Sequence, residues 1–100
     1  MVKATPVPPV EPALFINAYR SGASNVVVDG DSEGFERRDV VTLQTRTYNN
    51  KKGKWRPWKD RAEVLIKADG SFGGTINTTA KVRVRAISGD VKSNNLVVNK

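Results

Sequence analysis

The chain of 100 residues contains no cysteine and no histidine. Without cysteine there is no disulfide framework, no thiolate zinc site and no thiol nucleophile. Without histidine the commonest general base and transition-metal ligand near neutral pH is missing, which excludes serine–histidine and cysteine–histidine catalysis and imidazole-held metals. No cofactor is expected from what remains. Paired carboxylates stay chemically open, as in glycoside hydrolysis, but the ten acidic residues show no spacing that demands such a pair. No apolar run approaches the ~18 residues that cross a bilayer as a helix, and the N-terminus lacks the apolar stretch of a secretory leader, so no membrane partner is expected. A chain of this length makes one domain that buries roughly 60 to 70% of its unfolded surface, so a single modest core must hold by packing alone.

What is present is positive charge, unevenly placed. The net charge is +7. Residues 1–39 hold four basic and six acidic side chains, net −2, whereas residues 40–100 hold thirteen and four, net +9. Such asymmetry suits either an acidic partner or a solvated face that aids solubility.

Residues 1–12 read as a separate arm. Prolines at 6, 8, 9 and 12 fix the backbone angle, remove amide donors and bias the segment toward polyproline II. Val7, Pro8, Pro9 and Val10 form the part of this arm that can dock on a neighbour; a plain spacer is the alternative.

From residue 13 the pattern is that of strands. Lys81-Val82-Arg83-Val84-Arg85-Ala86 alternates cationic and small apolar side chains, the signature of a strand with Val82, Val84 and Ala86 buried and Lys81, Arg83 and Arg85 wet. Further strands are expected at Leu14 to Arg20, Val26 to Val28, Val40 to Tyr48 with Val41 and Leu43 inward, Arg61 to Lys67, Ser71 to Asn77 and Asn95 to Asn99. Between Trp55 and Arg61, Pro57 confines the chain to an edge or a bulge. An acidic loop is expected at residues 29–39. About seven short strands, turns roughly every 8 to 12 residues and no helical period indicate an all-β antiparallel sandwich.

Val41-Thr42-Leu43-Gln44, Lys54-Trp55-Arg56, Ala68-Asp69-Gly70-Ser71-Phe72, Val82 to Ala86 and Ser93-Asn94-Asn95-Leu96-Val97-Val98 together resemble bacterial immunoglobulin-like or fibronectin-III-like repeats. The likeness covers residues 40–98 best. It departs at Lys81, where such repeats often carry an aromatic, and in the long charged segment 29–39. The resemblance implies an immunoglobulin-like sandwich over residues 13–100 used for adhesion, spacing or display, without naming a ligand. Such sandwiches usually work outside a cell, whereas this chain, if Met1 is its native start, is expected to have no export signal. An accessory virion protein, decorating a phage capsid or associated with its tail, reconciles the two, because virions assemble in the cytoplasm and leave by lysis. Alternatives are a spacer or glycan-binding module excised from a larger bacterial surface protein or carbohydrate-active enzyme, and a nucleic-acid-binding basic domain.

Three constellations are candidates. Asp29-x-Asp31-x-Glu33-Gly34 imitates the opening of an EF-hand, but Val40 stands where the bidentate glutamate belongs, so no metal site is assigned. Trp55, Arg56, Trp58 and Lys59 interleave aromatics with cations, as nucleic-acid and carbohydrate surfaces do. Trp55 is expected in the core of an immunoglobulin-like fold, leaving Trp58 outside. Lys81, Arg83 and Arg85 share a face that Arg46 joins if its strand lies alongside; Glu63 is a neutralising neighbour on the same argument. Arg46, Arg56, Trp58, Lys81, Arg83 and Arg85, with the arm, are therefore the expected contacts to an acidic protein surface, a glycan or nucleic acid, either by a single molecule or by a homo-oligomer arrayed on a particle.

Overall fold

In the computed structural model, which describes residues 11–99, the chain runs through β1 (Ala13–Ser21), β2 (Asn25–Glu33), β3 (Val40–Asn49), β4 (Lys54–Trp55), β5 (Lys59–Leu65), β6 (Ser71–Asn77), β7 (Val82–Ser88), β8 (Val91–Lys92) and β9 (Leu96–Val98), with no helix among the described residues. Val7, Pro8, Pro9 and Val10 lie outside the described residues.

Two antiparallel sheets result. The smaller has the order β1-β2-β6. The larger has six strands centred on β3 and β7. β4 and β5 share the free edge of β3, and β8 and β9 share the free edge of β7. Each shared edge is one interrupted strand. Between β4 and β5 the cause is Pro57, which has no amide to donate to a ladder. At the second break, residues 93–95, the Ser93 amide still donates to the Ala86 carbonyl at 2.8 Å, and the Ser93 side chain takes the place of the reciprocal ladder bond. Ser93 Oγ accepts from the Ala86 amide at 2.8 Å and donates to the Asn94 carbonyl at 2.7 Å.

The alternation read from the sequence decides which side chains meet between the sheets. Leu14 and Ile16 of β1, Val26 and Val28 of β2, and Phe72 and Ile76 of β6 pack against Val41 and Leu43 of β3, Val82, Val84 and Ala86 of β7, and Val98 of β9; all are buried. At roughly 1.5–3 kcal/mol for each fully buried large aliphatic or aromatic side chain, this layer is the main source of stability. Gly30 makes room within it. A Cβ there would sit 2.2 Å from the Phe72 ring, which lies across the position a side chain would occupy.

Three expectations need correction. The second strand does not stop at Val28. It continues through Glu33, because Asp29, Asp31 and Glu33 all fall on its solvent side, where an acid costs the sheet little. The acidic loop therefore shrinks to residues 34–39, and there Asp39 is occupied in accepting the Glu36 amide at 2.7 Å. Trp55 is not in the core: it is half-exposed on the outer face of the larger sheet. Glu63 pairs with Thr42, away from the cationic residues it was expected to neutralise.

Arg20, which the sequence offered only as the end of a strand, fastens one end of the sandwich. Its guanidinium donates to the carbonyls of Thr78 (2.7 Å), Ala80 (2.8 Å) and Asn99 (2.7 Å). It thereby ties β1 to the β6–β7 crossover and to the C-terminal segment. Along the side of the sandwich, the Asn94 side chain accepts from the Ile16 amide at 2.9 Å and donates to the Ile16 carbonyl at 3.1 Å. That amide acts as a one-residue strand partner for the edge of β1, occupying groups that an edge otherwise offers to another chain.

Candidate binding face

β3 and β7 pair with Gln44 opposite Arg85 and Arg46 opposite Arg83. In an antiparallel pair such residues stand side by side on one face, and same-face neighbours along a strand are about 6.6–7 Å apart. Val82, Val84 and Ala86 are committed to the core. Lys81, Arg83 and Arg85 must therefore stand outward, beside Tyr48, Arg46 and Gln44 of β3.

The break at Pro57 adds the aromatics. On an unbroken strand Trp55 and Trp58 have opposite parity and lie on opposite faces. Here residues 56–58 leave the ladder between β4 and β5, parity is reset, and both indoles lie over the outer face. The Arg85 guanidinium carbon sits 4.1 Å from the Trp58 ring centroid, and that of Arg46 sits 5.4 Å from the same ring. Arg83 lies 4.9 Å from Trp55, and the Lys81 ammonium 5.5 Å from Tyr48. Tyr48 and Trp55 meet edge to face at 5.3 Å. Four cations and three aromatic rings thus form one continuous patch. Each cation–ring contact contributes about 0.5–1 kcal/mol at a solvated site and more where water is excluded.

Hydrogen bonds fix the patch without discharging it. Arg46 Nε donates to the Arg56 carbonyl at 2.8 Å and its Nη2 to the Trp55 carbonyl at 3.4 Å, satisfying backbone oxygens freed at the Pro57 break. Arg85 Nε donates to Gln44 Oε1 at 2.8 Å, and Gln44 Nε2 in turn donates to the Asp60 carboxylate at 2.6 Å. Gln44 is only 8% exposed although it faces outward, so the side chains around it close over it. Arg83 Nη1 donates to Asn95 Oδ1 at 3.2 Å, while its covered Nε has no hydrogen-bond partner among the described residues. Every one of these guanidinium partners is a neutral oxygen. Asp60 reaches the network only through an intervening amide.

Of the residues singled out from the sequence, Arg46, Trp58, Lys81, Arg83 and Arg85 come together on this face. Arg56 belongs to it through its backbone, donating to the Thr47 carbonyl at 2.8 Å and accepting from Arg46; its side chain is exposed. Gln44 and Tyr48 were missed, and Trp55 joins this face instead of the core. Gln44 and Tyr48 share the parity of Arg46, and that period-2 spacing was the signal available; Trp55 could be found only by letting Pro57 reset the register. No group of three or more acidic side chains placed to hold a metal ion occurs among the described residues. Comparisons with family models, with curated proteins and with solved structures find no match to this chain.

Proposed function

We propose that the protein is a non-enzymatic binding module of immunoglobulin-like connectivity, whose outer β3–β7 face docks on an acidic protein surface. With each interrupted edge counted as one strand, seven strands divide as 1-2-5 and 4-3-6-7 and cross between the sheets at 2–3, 4–5 and 5–6. This supports the fibronectin-III-like variant of the immunoglobulin plan.

The observation that carries the functional reading is that the arginines of the patch are held in position by rings and neutral oxygens and carry their charge outward uncompensated. A carboxylate-bearing surface supplies what those guanidiniums lack, and pre-ordered side chains reduce the entropy lost on binding. The same geometry disfavours the glycan and nucleobase alternatives. Flat stacking on Trp55 or Trp58 has to compete with guanidiniums that already lie against both indoles. An accessory role on a virion, with capsid or tail protein as the acidic support and the sandwich displayed above it, is the setting we propose for this chemistry.

The test is titration calorimetry against poly-L-glutamate, double-stranded DNA and a neutral glucan at two salt concentrations. Poly-L-glutamate is expected to bind, and Arg83→Gln with Arg85→Gln to weaken it by about tenfold or more, corresponding to ~1.4 kcal/mol. Removing the same charge from the exposed turn, with Lys51→Gln and Lys52→Gln, is expected to change binding by less than about threefold. Equal losses from the two double variants, or preference for DNA or the glucan, overturn the reading.

A further inference from the structure

The smaller sheet also has an outer face, and its sign is opposite. Asp29, Asp31 and Glu33 stand outward at alternate positions of β2, its central strand. Phe15, 52% exposed, pairs with Asp31 across β1–β2, and Tyr19, 49% exposed, pairs with Val27. Gly73 and Ser71 on β6 pair with Asp29 and Asp31, so nothing bulky rises beside the acids on that flank. A concavity of about 710 Å³ runs over this face, lined by Phe15, Asn17, Asp29, Asp31 and Gly73 among others, with Lys67 the one cation among its described residues, against the two aspartates.

The two outer faces match in detail. Arg83 and Arg85 of the central strand β7, with Lys81 just before its start, form a cationic row at alternate positions, and Asp29, Asp31 and Glu33 of β2 form an anionic row of similar period, about 6.6–7 Å between neighbours along a strand. Each row is flanked by exposed or half-exposed aromatics, Trp55 and Trp58 on one face and Phe15 and Tyr19 on the other. The basic face is crowded with side chains, and the acidic face is hollow above its glycine. We propose that the basic face also takes a second copy of this chain as an acidic partner, seated through the outer face of its β1-β2-β6 sheet and stacking on copies already docked to the support; the proposal rests on the binding role argued above for the β3–β7 face.

Because the two faces of a sandwich look in opposite directions, the contact is heterologous and repeats as a stack instead of closing a dimer. Three strands about 4.8 Å apart and some nine residues long give a face on the order of 400 Å², so one contact buries less than the ~1,200 Å² of a standard stable interface. Stacking is therefore weak in free solution, strongest at low salt, and effective where copies are already concentrated on a support.

Sedimentation velocity up to about 1 mM chain and at about 0.01 M salt, where charges act over ~30 Å, tests it. The wild type is expected to form concentration-dependent oligomers that dissolve at high salt. Asp29→Lys with Asp31→Lys, and separately Arg83→Glu with Arg85→Glu, are each expected to stay monomeric alone, and their equimolar mixture to associate again. A wild type that stays monomeric throughout, or two variants that oligomerise alone as well as it does, overturns the proposal. Poly-L-glutamate titration separates this failure from the other: Asp29→Asn with Asp31→Asn, which adds no cation, keeps that binding and loses it again with Arg83→Gln and Arg85→Gln if the basic face works as proposed, whatever the outcome for stacking.

Discussion

The two outer faces of this sandwich rest on one core and are built in opposite ways. The β3–β7 face is dense: rings and guanidiniums cover one another, and Gln44 is sealed beneath them. The β1-β2-β6 face is bare, with acids and aromatics standing free over a sheet thinned by glycine. Order in the side chains, beyond charge alone, distinguishes the dense face, whose guanidiniums are held ready for a partner, from the bare one, which offers charge and room for another surface to fill. Elsewhere Lys51, Lys52 and Lys54 are as basic and more exposed, and no ring lies over any of them among the described residues.

The largest effect expected on breaking this contrast lies under the bare face. Gly30→Ala forces a methyl into the Phe72 ring, 2.2 Å away, and is expected to destabilise the fold by about 3 kcal/mol, the upper part of the overpacking range. Chemical denaturation will show it as a lowered midpoint with an unchanged slope. Arg20→Ala comes next. It removes a charged donor from three carbonyls and is expected to cost about 2 kcal/mol; faster amide exchange at residues 78–80 will distinguish loss of the clamp from general weakening.

On the dense face, Trp58→Ala is expected to cost only about 1 kcal/mol of stability, since one ring and its cation contacts are lost from a solvated site. Its effect on poly-L-glutamate affinity should be the larger one, because Arg46 and Arg85 lose the surface that orders them. Smallest is the turn at Asp69. Its carboxyl is held below the ordinary carboxylate range, first by the Ser71 hydroxyl at 2.6 Å and then by the Ser71 amide at 3.0 Å. A depressed folded-state value means stability present above the unfolded value and lost as pH falls through the folded one. Asp69→Asn should therefore slightly flatten the acid limb of the stability profile and leave stability at low pH unchanged.

Much of the sandwich was legible because period-2 alternation survives wherever a strand has one wet face. Val82, Val84 and Ala86 declared their burial, and Arg46, Arg83 and Arg85 their common side. The continuation of β2 was hidden because aspartate and glycine are depleted in strands and read locally as a turn; its pairing on both sides with β1 and β6 overrides that preference. Trp55 was misplaced because proline interrupts the count that parity depends on. Arg20 was invisible for a different reason: its partners are main-chain carbonyls 58, 60 and 79 residues away, and no side-chain pattern marks them.

The most direct test of the functional difference between the faces is a proton–nitrogen NMR titration with poly-L-glutamate, following the indole Nε1–H signals of Trp55 and Trp58 and the Nε–H signals of Arg46, Arg83 and Arg85. The account predicts that these signals move first and furthest while the amides of Phe15, Tyr19, Asp29 and Asp31 stay still. Shifts spread evenly over Lys51, Lys52 and Lys54, with the indoles unmoved, would contradict it.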